Sequence, residues 1–590
     1  MKILSNIKLP NIDGYSVKTF SDYCPEIIIK NKNGNGLAYI SLTKIFSIIP
    51  KEEFPEILII SSPEYLPVPE DMKLFQGPKI LLITDWNVGI RYLESLCGLF
   101  DYCFTDICGF ELLHKLGVQN IFHQPLFGHN PDRFRFLGSE RDIDLSFCGS
   151  FNSSLHGKRN QLLYKLARLH NQYRIEVGQF FGSEYVEILN RSKLVFNFSI
   201  RSEANMRSFE AMSCGAIPLV EKGNREMPIL FREGLHYVEY TPDSLEKVIN
   251  NILSCPSTLK NMRENALQEI SGHSFAAQIK SLLAIVLNRN EYVGNSNKQN
   301  PMKELEVSVI THGAILKNNM YGWGYKDNNL VDVLTPYFTQ TPELEGEILP
   351  AVLLQQIKEN FDKGDRLSKL PEIFTRRFIK GEILPGCLRN LFASLYCFWV
   401  QDWENCIHYS NHGVEEFERL NSNSEAVFIR KSLYGYLFPP LRLGDRFTVD
   451  LNNSFVVDRQ SGEYMEICQL LEDICYAKMC RSYLALQRPE RAVGMLEKIS
   501  NATFLSPERD LLEVLTFASL KDGTKTELAL NVLFKKEPFR SGLWPDMLWA
   551  CKQINNKALH QRYLDVFINI ARNYLAHDQG LILWLKQLGC

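Results

Sequence analysis

Residues 193–220 constrain the fold more than any other segment, because they combine two strand-like runs with a short helix between them. Residues 193–198 and 216–220 are apolar enough for strands, whereas residues 205–214 have helical spacing. Ser202 or Asn205 could cap the helix, and Gly215 could end it in the left-handed conformation. The segment therefore predicts a β-α-β unit with a helix N-terminus beside a strand end.

This unit also carries groups that suit a phosphorylated ligand. A helix N-terminus attracts phosphate, because its backbone N–H groups are unpaired and its dipole is positive there. A carboxylate one turn further on, Glu210, could accept hydrogen bonds from ribose hydroxyls. Together these groups predict a pocket for a nucleoside diphosphate.

The pattern around this unit predicts an α/β protein. From residue 1 to about 285, short apolar runs alternate with helical periodicity, which indicates parallel sheets with crossover helices. Strands are expected at Glu56–Ser61, Lys79–Thr84, Asp101–Thr105, Asn120–His123, Asp144–Cys148, Lys193–Phe198 and Ala216–Val220. Helices are expected at Val88–Leu99, Gly109–Leu116, Lys158–His170, Glu184–Arg191 and Asp243–Leu253.

Breaks in the pattern predict three domains. A Pro- and Gly-containing stretch at 124–134 separates two Rossmann-like lobes, at 1–130 and 131–290, and a polar stretch at 287–302 ends the second lobe. Residues 303–590 are mostly helical in pattern, and six of the seven tryptophans lie beyond residue 320. Helices are expected there at Ala351–Phe361, Leu388–Trp399, Tyr464–Leu486 and Ala492–Ile499.

One helix pair in this last region resembles a tetratricopeptide repeat. In residues 477–496, Tyr483, Ala492 and Leu496 fit the packing positions of such a repeat. An ordinary helical bundle explains the same residues equally well.

Composition excludes several classes of protein. The net charge of −3 gives no sign of a nucleic-acid binder. No apolar run approaches the ~18 residues of a membrane-spanning helix. The fifteen scattered cysteines favour reduced thiols and a cytoplasmic location.

Four segments make residues 100–285 resemble the GT-B glycosyltransferases, and in particular the branch similar to the spore-maturation protein CgeB. They are residues 100–106, 145–151, 205–215 and 273–283, of which the third, with Arg207, Glu210 and Gly215, is the most specific. The resemblance implies transfer of a sugar from a nucleotide-diphosphate sugar to an acceptor hydroxyl of a protein or glycan. It also implies a donor site in the second lobe and an acceptor site in the first.

The resemblance gives roles to residues of the second lobe. Glu210 would hold the donor ribose, and Arg207 or the loop Ser199–Arg201 would face the diphosphate. For Glu203 we favour an exposed salt bridge with Arg207 instead. Retaining members of the wider superfamily often have seven residues between two glutamates, whereas six lie between Glu203 and Glu210.

A second donor element follows the strand that ends near Cys148. The small residues Gly149 and Ser150 would let backbone N–H groups approach a phosphate. Arg159 would neutralise the diphosphate leaving group, on which negative charge builds during transfer. The alternative is a plain strand–turn–helix with solvated Lys158 and Arg159. The predicted donor residues are thus Gly149, Ser150, Arg159, Ser199, Arg201, Asn205, Arg207 and Glu210.

Asp85 is the predicted catalytic residue. It follows a strand, at the sheet edge where ligand sites of α/β proteins form, and could serve as general base for the acceptor hydroxyl. Equally, it could cap a helix that begins near Val88. His123 and His129 are expected to be structural.

No cofactor or required metal is expected. Asp142 and Asp144 match Asp-x-Asp, the metal-binding motif of another glycosyltransferase fold. We interpret them instead as polar residues of an edge strand. Two other functions stay open: a scaffold or binding protein that has lost activity, and a nucleotide-sugar epimerase of similar shape.

Overall fold

The computed structural model describes residues 1–23, 42–64, 68–69, 71–86, 90–151, 153–288, 386–418, 447–450, 455–458, 464–500, 507–575 and 578–588. These residues separate into two compact units. The first unit holds the described residues up to 288 apart from Phe151–Gln161, and the second holds that segment and the described residues from 386 onward. The helix predicted at Ala351–Phe361 lies outside the described residues.

The first unit begins with a six-stranded parallel sheet in the order β2-β1-β3-β4-β5-β6. All five residues of its third strand are buried, as expected of a parallel sheet whose two faces are both covered. The strands β1–β6 are Lys2–Ser5, Ser16–Thr19, Ile57–Ser61, Lys79–Leu82, Tyr102–Thr105 and Ile121–His123. The helices α1–α4 of this lobe are Phe20–Tyr23, Leu42–Ile48, Ile90–Cys97 and Ile107–Lys115.

The second lobe of this unit contains a five-stranded parallel sheet in the order β11-β10-β9-β7-β8. Its strands β7–β11 are Ile143–Cys148, Ile175–Gly178, Ser192–Phe196, Ile217–Glu221 and Val238–Tyr240. Helices α5–α10 are Ser153–Ala167, Gly182–Arg191, Met206–Ser213, Met227–Leu230, Leu245–Leu253 and Pro256–Ile270. The first part of α5, up to Gln161, belongs to the second unit. Because β7 lies between β8 and β9, the prediction that Asp142 and Asp144 are polar residues of an edge strand is wrong.

Helix α11, Phe275–Asn288, returns the chain to the first lobe. Its residues Ile279, Leu282, Leu283 and Val286 are buried in the same apolar cluster as Ile3 and other residues of the first sheet. The sequence-based boundary at 290 counts this helix with the second lobe, whereas its apolar face packs on the first.

The second unit is largely helical. Its helices α12–α20 are Gly386–Trp399, Trp403–Glu418, Ile467–Ala485, Pro489–Leu496, Glu508–Ser519, Gly523–Lys536, Trp544–Gln553, Lys557–Tyr574 and Gln579–Gln587. A three-stranded antiparallel sheet, Phe447–Asp450, Phe455–Asp458 and Tyr464–Glu466, precedes α14. The predicted fold class, two Rossmann-like lobes of the GT-B type followed by a helical region, is confirmed, with this small sheet as an addition.

Three successive helix pairs of the second unit repeat at a constant spacing. Their first helices end at Ala485, Ser519 and Gln553, in steps of 34 residues, and their second helices begin at Pro489, Gly523 and Lys557 in the same steps. The turn of each pair has a left-handed residue, with φ of 58° at Gln487, 61° at Lys521 and 57° at Asn555. This conformation ends the first helix and lets the chain reverse.

Candidate functional site

The carboxyl ends of β7 and β9 meet at one edge of the second sheet, because the two strands are adjacent and parallel. Gly149 follows β7, and Asn197 follows β9. Helix α7 begins nine residues after Asn197, with Asn205 at its N-cap position and Gly215, φ 77°, just beyond its end. The predicted β-α-β unit is therefore formed, and it places α7 against this edge.

Arg207 joins the two strand ends. Its Nε donates to the carbonyl oxygen of Cys148 at 2.9 Å, and its Nη1 donates to Asn197 Oδ1 at 3.1 Å. The guanidinium also lies over the ring of Phe147, 4.7 Å from the centroid. A side chain at Gly149 would come within 2.7 Å of Arg207 Nη2, so a glycine leaves this space to the arginine.

Glu210 lies one turn further along α7 and is buried. Its Oε2 accepts a hydrogen bond from the hydroxyl of Tyr185 on α6 at 2.6 Å. Burial raises the pKa of Glu210, while the Tyr185 hydroxyl and the charge of Arg207 act in the opposite direction. Gly149, Arg207 and Glu210 are thus brought together at this edge of the second sheet.

The other predicted donor residues have different surroundings. Ser150 is exposed, whereas Ser199 is buried and gives its backbone N–H and hydroxyl to Glu221. Asn205 makes no capping hydrogen bond, and its buried Oδ1 accepts none from the described residues. Arg159 is buried on α5, in the segment Phe151–Gln161 that belongs to the second unit. It is not the solvated arginine of the alternative interpretation.

Arg201 is buried among acidic groups instead of facing an open pocket. Its Nη1 lies 2.5 Å from Asp85 Oδ1, and its Nε lies 3.2 Å from Asp106 Oδ2. Its Nη2 donates to the carbonyl oxygen of Thr84 at 3.0 Å and lies 3.7 Å from Glu203 Oε1.

The prediction of an exposed Glu203–Arg207 salt bridge is wrong. Glu203 precedes α7 and is buried, and its Oε2 accepts the backbone N–H of Arg201 at 2.8 Å. Burial raises the pKa of Glu203 to about 7, although Arg201 opposes this shift.

Asp85, the predicted base, is half-buried and ion-paired with Arg201. Its backbone N–H donates to Glu64 Oε1 at 2.9 Å. Glu64 is buried, and burial together with the charge of Asp85 raises its pKa to about 8. The alternative role of Asp85 as a helix cap falls on residues 87–89, which lie outside the described residues.

The histidines and the Asp-x-Asp motif have protein partners. His123 Nε2 lies 3.0 Å from Glu226 Oε1, and His129 Nδ1 lies 3.2 Å from the carbonyl oxygen of His273. Asp142 pairs with Arg174 and Arg191, and Asp144 pairs with Lys193. Within the described ranges, no cluster of three or more His, Cys, Asp or Glu side chains has the geometry to hold a metal ion.

Sequence reasoning missed Tyr185, Asp106, Glu64 and Glu226. Asp106 and Glu64 follow predicted strands, as Asp85 does, so the same signal at the strand ends could have found them. Tyr185 gives no such signal, because only the packing of α6 on α7 brings its hydroxyl to Glu210.

Comparisons with known proteins agree with this fold. Residues 134–284 match a family model described as glycosyl transferase-like. No curated protein matches the chain. None of the described helices has both the length and the apolar character needed to cross a membrane.

Three solved structures illustrate the similarity. Sucrose-phosphate synthase from Thermosynechococcus elongatus is 12% identical, with 48% of this chain and 99% of that chain covered and a TM-score of 0.32. HepE from Anabaena, in complex with UDP and glucose, is 13% identical, with 49% and 99% covered and a TM-score of 0.34. A glycosyltransferase from Rickettsia africae is 14% identical, with 49% and 99% covered and a TM-score of 0.33. The segment 134–284, which is similar to the glycosyl transferase-like family, contains Gly149, Arg207 and Glu210.

Proposed function

We propose that this protein is a GT-B glycosyltransferase that moves a sugar from a nucleotide-diphosphate sugar to an acceptor hydroxyl. The observation that carries the proposal is the convergence of Gly149, Arg207 and Glu210 at one sheet edge, within the segment that matches the glycosyl transferase-like family. Ligand sites of α/β proteins form at this edge of a parallel sheet. The finer assignment, to the CgeB-like branch, rests on the sequence motifs alone.

Several kinds of group in the second lobe would bind the donor. Glu210, held by Tyr185, would accept hydrogen bonds from the ribose, and the buried Oδ1 of Asn205 is a second acceptor near the start of α7. The backbone of Gly149 and Ser150, with Arg207 nearby, would meet the diphosphate. Positive charge there favours bond cleavage, because the leaving diphosphate gains negative charge. No metal is required in this proposal.

The acceptor would bind in the first lobe, near the ends of β4 and β5. Asp85 would act as general base toward the acceptor hydroxyl. We propose a protein or glycan acceptor, presented by the helical second unit. The 34-residue spacing of its helix pairs supports a tetratricopeptide-like array, a kind of repeat that forms extended binding surfaces. A cytoplasmic location stays a prediction from the cysteine pattern.

A catalytically inactive scaffold is the second candidate. One observation favours it: the carboxylate of the predicted base, Asp85, is already engaged by Arg201 at 2.5 Å. In this case the nucleotide could still bind, but the donor would not be hydrolysed or transferred.

Calorimetric titration of the full chain with UDP, GDP, TDP and CMP tests the proposal. We expect one nucleotide to bind selectively, and Glu210→Ala to weaken it about tenfold or more, because hydrogen bonds to a charged group contribute about 1.5–3 kcal/mol. Glu187→Ala, which removes an exposed glutamate on α6, is the matched control and should bind normally. Absence of binding by all four nucleotides would refute the donor site. Binding without hydrolysis of the matching nucleotide sugar would favour the scaffold.

A further inference from the structure

Arg201 is the point at which the two lobes of the first unit are joined electrostatically. It lies on the loop between β9 and α7, which also carries Ser199 and Asn205. Its side chain reaches the ends of two strands of the first sheet, where it meets Asp85 and the carbonyl oxygen of Thr84 after β4 and Asp106 after β5. The guanidinium thus contacts groups on both lobes, and Arg201 as a whole is only 7% exposed.

The groups around Arg201 carry an excess of carboxylates. Asp85, Asp106 and Glu203 lie within 4 Å of its nitrogens, and Glu64 lies behind Asp85. Burial disfavours the charge of Arg201, but these carboxylates outweigh the effect and raise its pKa. Without the guanidinium, buried carboxylates of the two lobes would face one another unpaired, which is a costly arrangement.

The same loop has a second attachment to the first lobe. Glu226 accepts the backbone N–H of Ala204 at 3.0 Å on the second lobe and that of Ile107 at 3.0 Å on the first. Its Oε1 also lies 3.0 Å from His123 at the end of β6. Ser202, between these two attachments, has a left-handed φ of 62°. The loop is therefore held in one conformation from both sides.

We propose that Arg201 is a positioning residue that fixes the loop 199–205 of the donor lobe on Asp85 of the acceptor lobe. Donor binding to this loop is then transmitted to the acceptor side, and the two lobes close in a single arrangement. The inference rests on the proposed function and deepens it. It replaces the expectation that Arg201 contacts the diphosphate, because its side chain already faces carboxylates and a carbonyl.

Hydrogen–deuterium exchange of the full chain, read on peptides covering 101–110 and 199–205, tests this role. In the wild type, the selected nucleotide should slow exchange in both peptides, across the lobe boundary. In Arg201→Lys, protection should stay confined to 199–205, because an ammonium keeps the charge but loses the fork that reaches Asp85, Asp106 and Thr84 together. Arg232→Met, which removes an exposed arginine of the same lobe, should behave as the wild type.

Affinity for inorganic pyrophosphate separates the two roles of Arg201. A positioning role predicts that Arg201→Lys changes the Kd by less than about twofold, whereas loss of a direct charge-assisted contact corresponds to about tenfold or more. If Arg201→Lys does not fold, Asp106→Asn replaces it, because this change removes one partner on the acceptor lobe and keeps the arginine. Asp106→Asn should likewise confine the protection from exchange to residues 199–205, without lowering the affinity for pyrophosphate.

The outcomes also separate this inference from the proposed function. Normal nucleotide binding with protection still transmitted in the variant would overturn the positioning role alone, and so would a large loss of pyrophosphate affinity. A wild type that binds none of the four nucleotides would refute the donor site itself. The positioning role would fall with it.

Discussion

The hydroxyl of Tyr185 donates to Glu210 Oε2 at 2.6 Å, and this contact fixes the carboxylate that we assign to the donor ribose. Glu210 is buried, and removing a partner from a buried carboxylate leaves it unsatisfied. Tyr185 in turn packs with Phe134 in the core beneath the site. The orientation of the ribose contact therefore depends on the packing of α6 on α7.

Tyr185→Phe tests this dependence. We expect the selected nucleotide to bind about three- to tenfold more weakly and the free energy of unfolding to fall by about 1–3 kcal/mol, because the ring remains but the hydrogen bond is lost. Titration calorimetry and urea unfolding measure the two effects. The control is Tyr173→Phe, which removes a hydroxyl bonded to Asn250 in the same lobe at 2.7 Å. Equal nucleotide affinity in both variants would contradict the role of Tyr185.

Phe181 provides the second prediction. It is 74% exposed just before α6, at the carboxyl edge of the second sheet, and its carbonyl oxygen accepts the N–H of Tyr185 at 3.4 Å. This exposed ring lies one turn before Tyr185, the hydrogen-bond partner of Glu210. It is therefore suited to stack on a nucleobase, a contact that contributes about 1–3 kcal/mol.

We expect Phe181→Ala to weaken binding of the selected nucleotide by about five- to a hundredfold. The Kd for pyrophosphate should stay constant, because pyrophosphate has no base. Titration calorimetry with both ligands measures the difference. Ile229→Ala, at an exposed apolar residue of the same lobe, is the control. A parallel loss of pyrophosphate affinity would indicate a general disturbance of the loop instead of stacking.

The fold could be predicted where a strand is buried on both faces. Ile57–Ser61 and Ile143–Cys148 are such strands, and their apolar runs predict the ends of both strands to within two residues. The edge strands Ser16–Thr19 and Val238–Tyr240 were not predicted from the sequence. They have only four and three residues, and polar residues interrupt their apolar ones. Short edge strands are stabilised by their neighbours and carry little signal of their own.

Only those parts of the site whose residues lie close together in the sequence could be predicted. Arg207 and Glu210 share one helix with its loop, so a local motif indicates both. The surroundings of Arg201 depend on Asp85 and Asp106, which come about a hundred residues earlier, and the sequence does not reveal that the lobes bring them together. For this reason the sequence suggested a diphosphate contact for a residue that the fold surrounds with carboxylates.

Glu64 makes the stability of the first unit depend on pH. Burial and the nearby Asp85 raise its pKa from 4.5 to about 8, so the folded chain holds this proton more tightly than the unfolded chain does. Its contribution to stability is complete below about pH 4.5 and is lost as the pH rises toward 8. Glu64→Gln stays neutral and removes this component.

We therefore expect the Tm of the wild type to fall between pH 6 and pH 9 by several degrees more than the Tm of Glu64→Gln, at about 2–4 °C per kcal/mol. Differential scanning calorimetry at both pH values measures this difference. Glu187→Gln, at an exposed glutamate, should follow the wild type. A fall in Tm of the same size in Glu64→Gln would show that Glu64 does not hold a proton at pH 6.

The left-handed turns of the helical unit give the last prediction. Gln487 is exposed and has φ 58°, a conformation that costs a residue with a side chain about 1–2 kcal/mol. Gln487→Gly should raise the free energy of unfolding of this unit by about 0.5–1 kcal/mol, because the relief of strain exceeds the entropy that glycine loses. Ala485→Gly, two residues earlier in the last turn of α14, should lower it by about 1 kcal/mol. Urea unfolding followed by circular dichroism measures both changes. Two changes of the same sign would contradict the left-handed turn at Gln487.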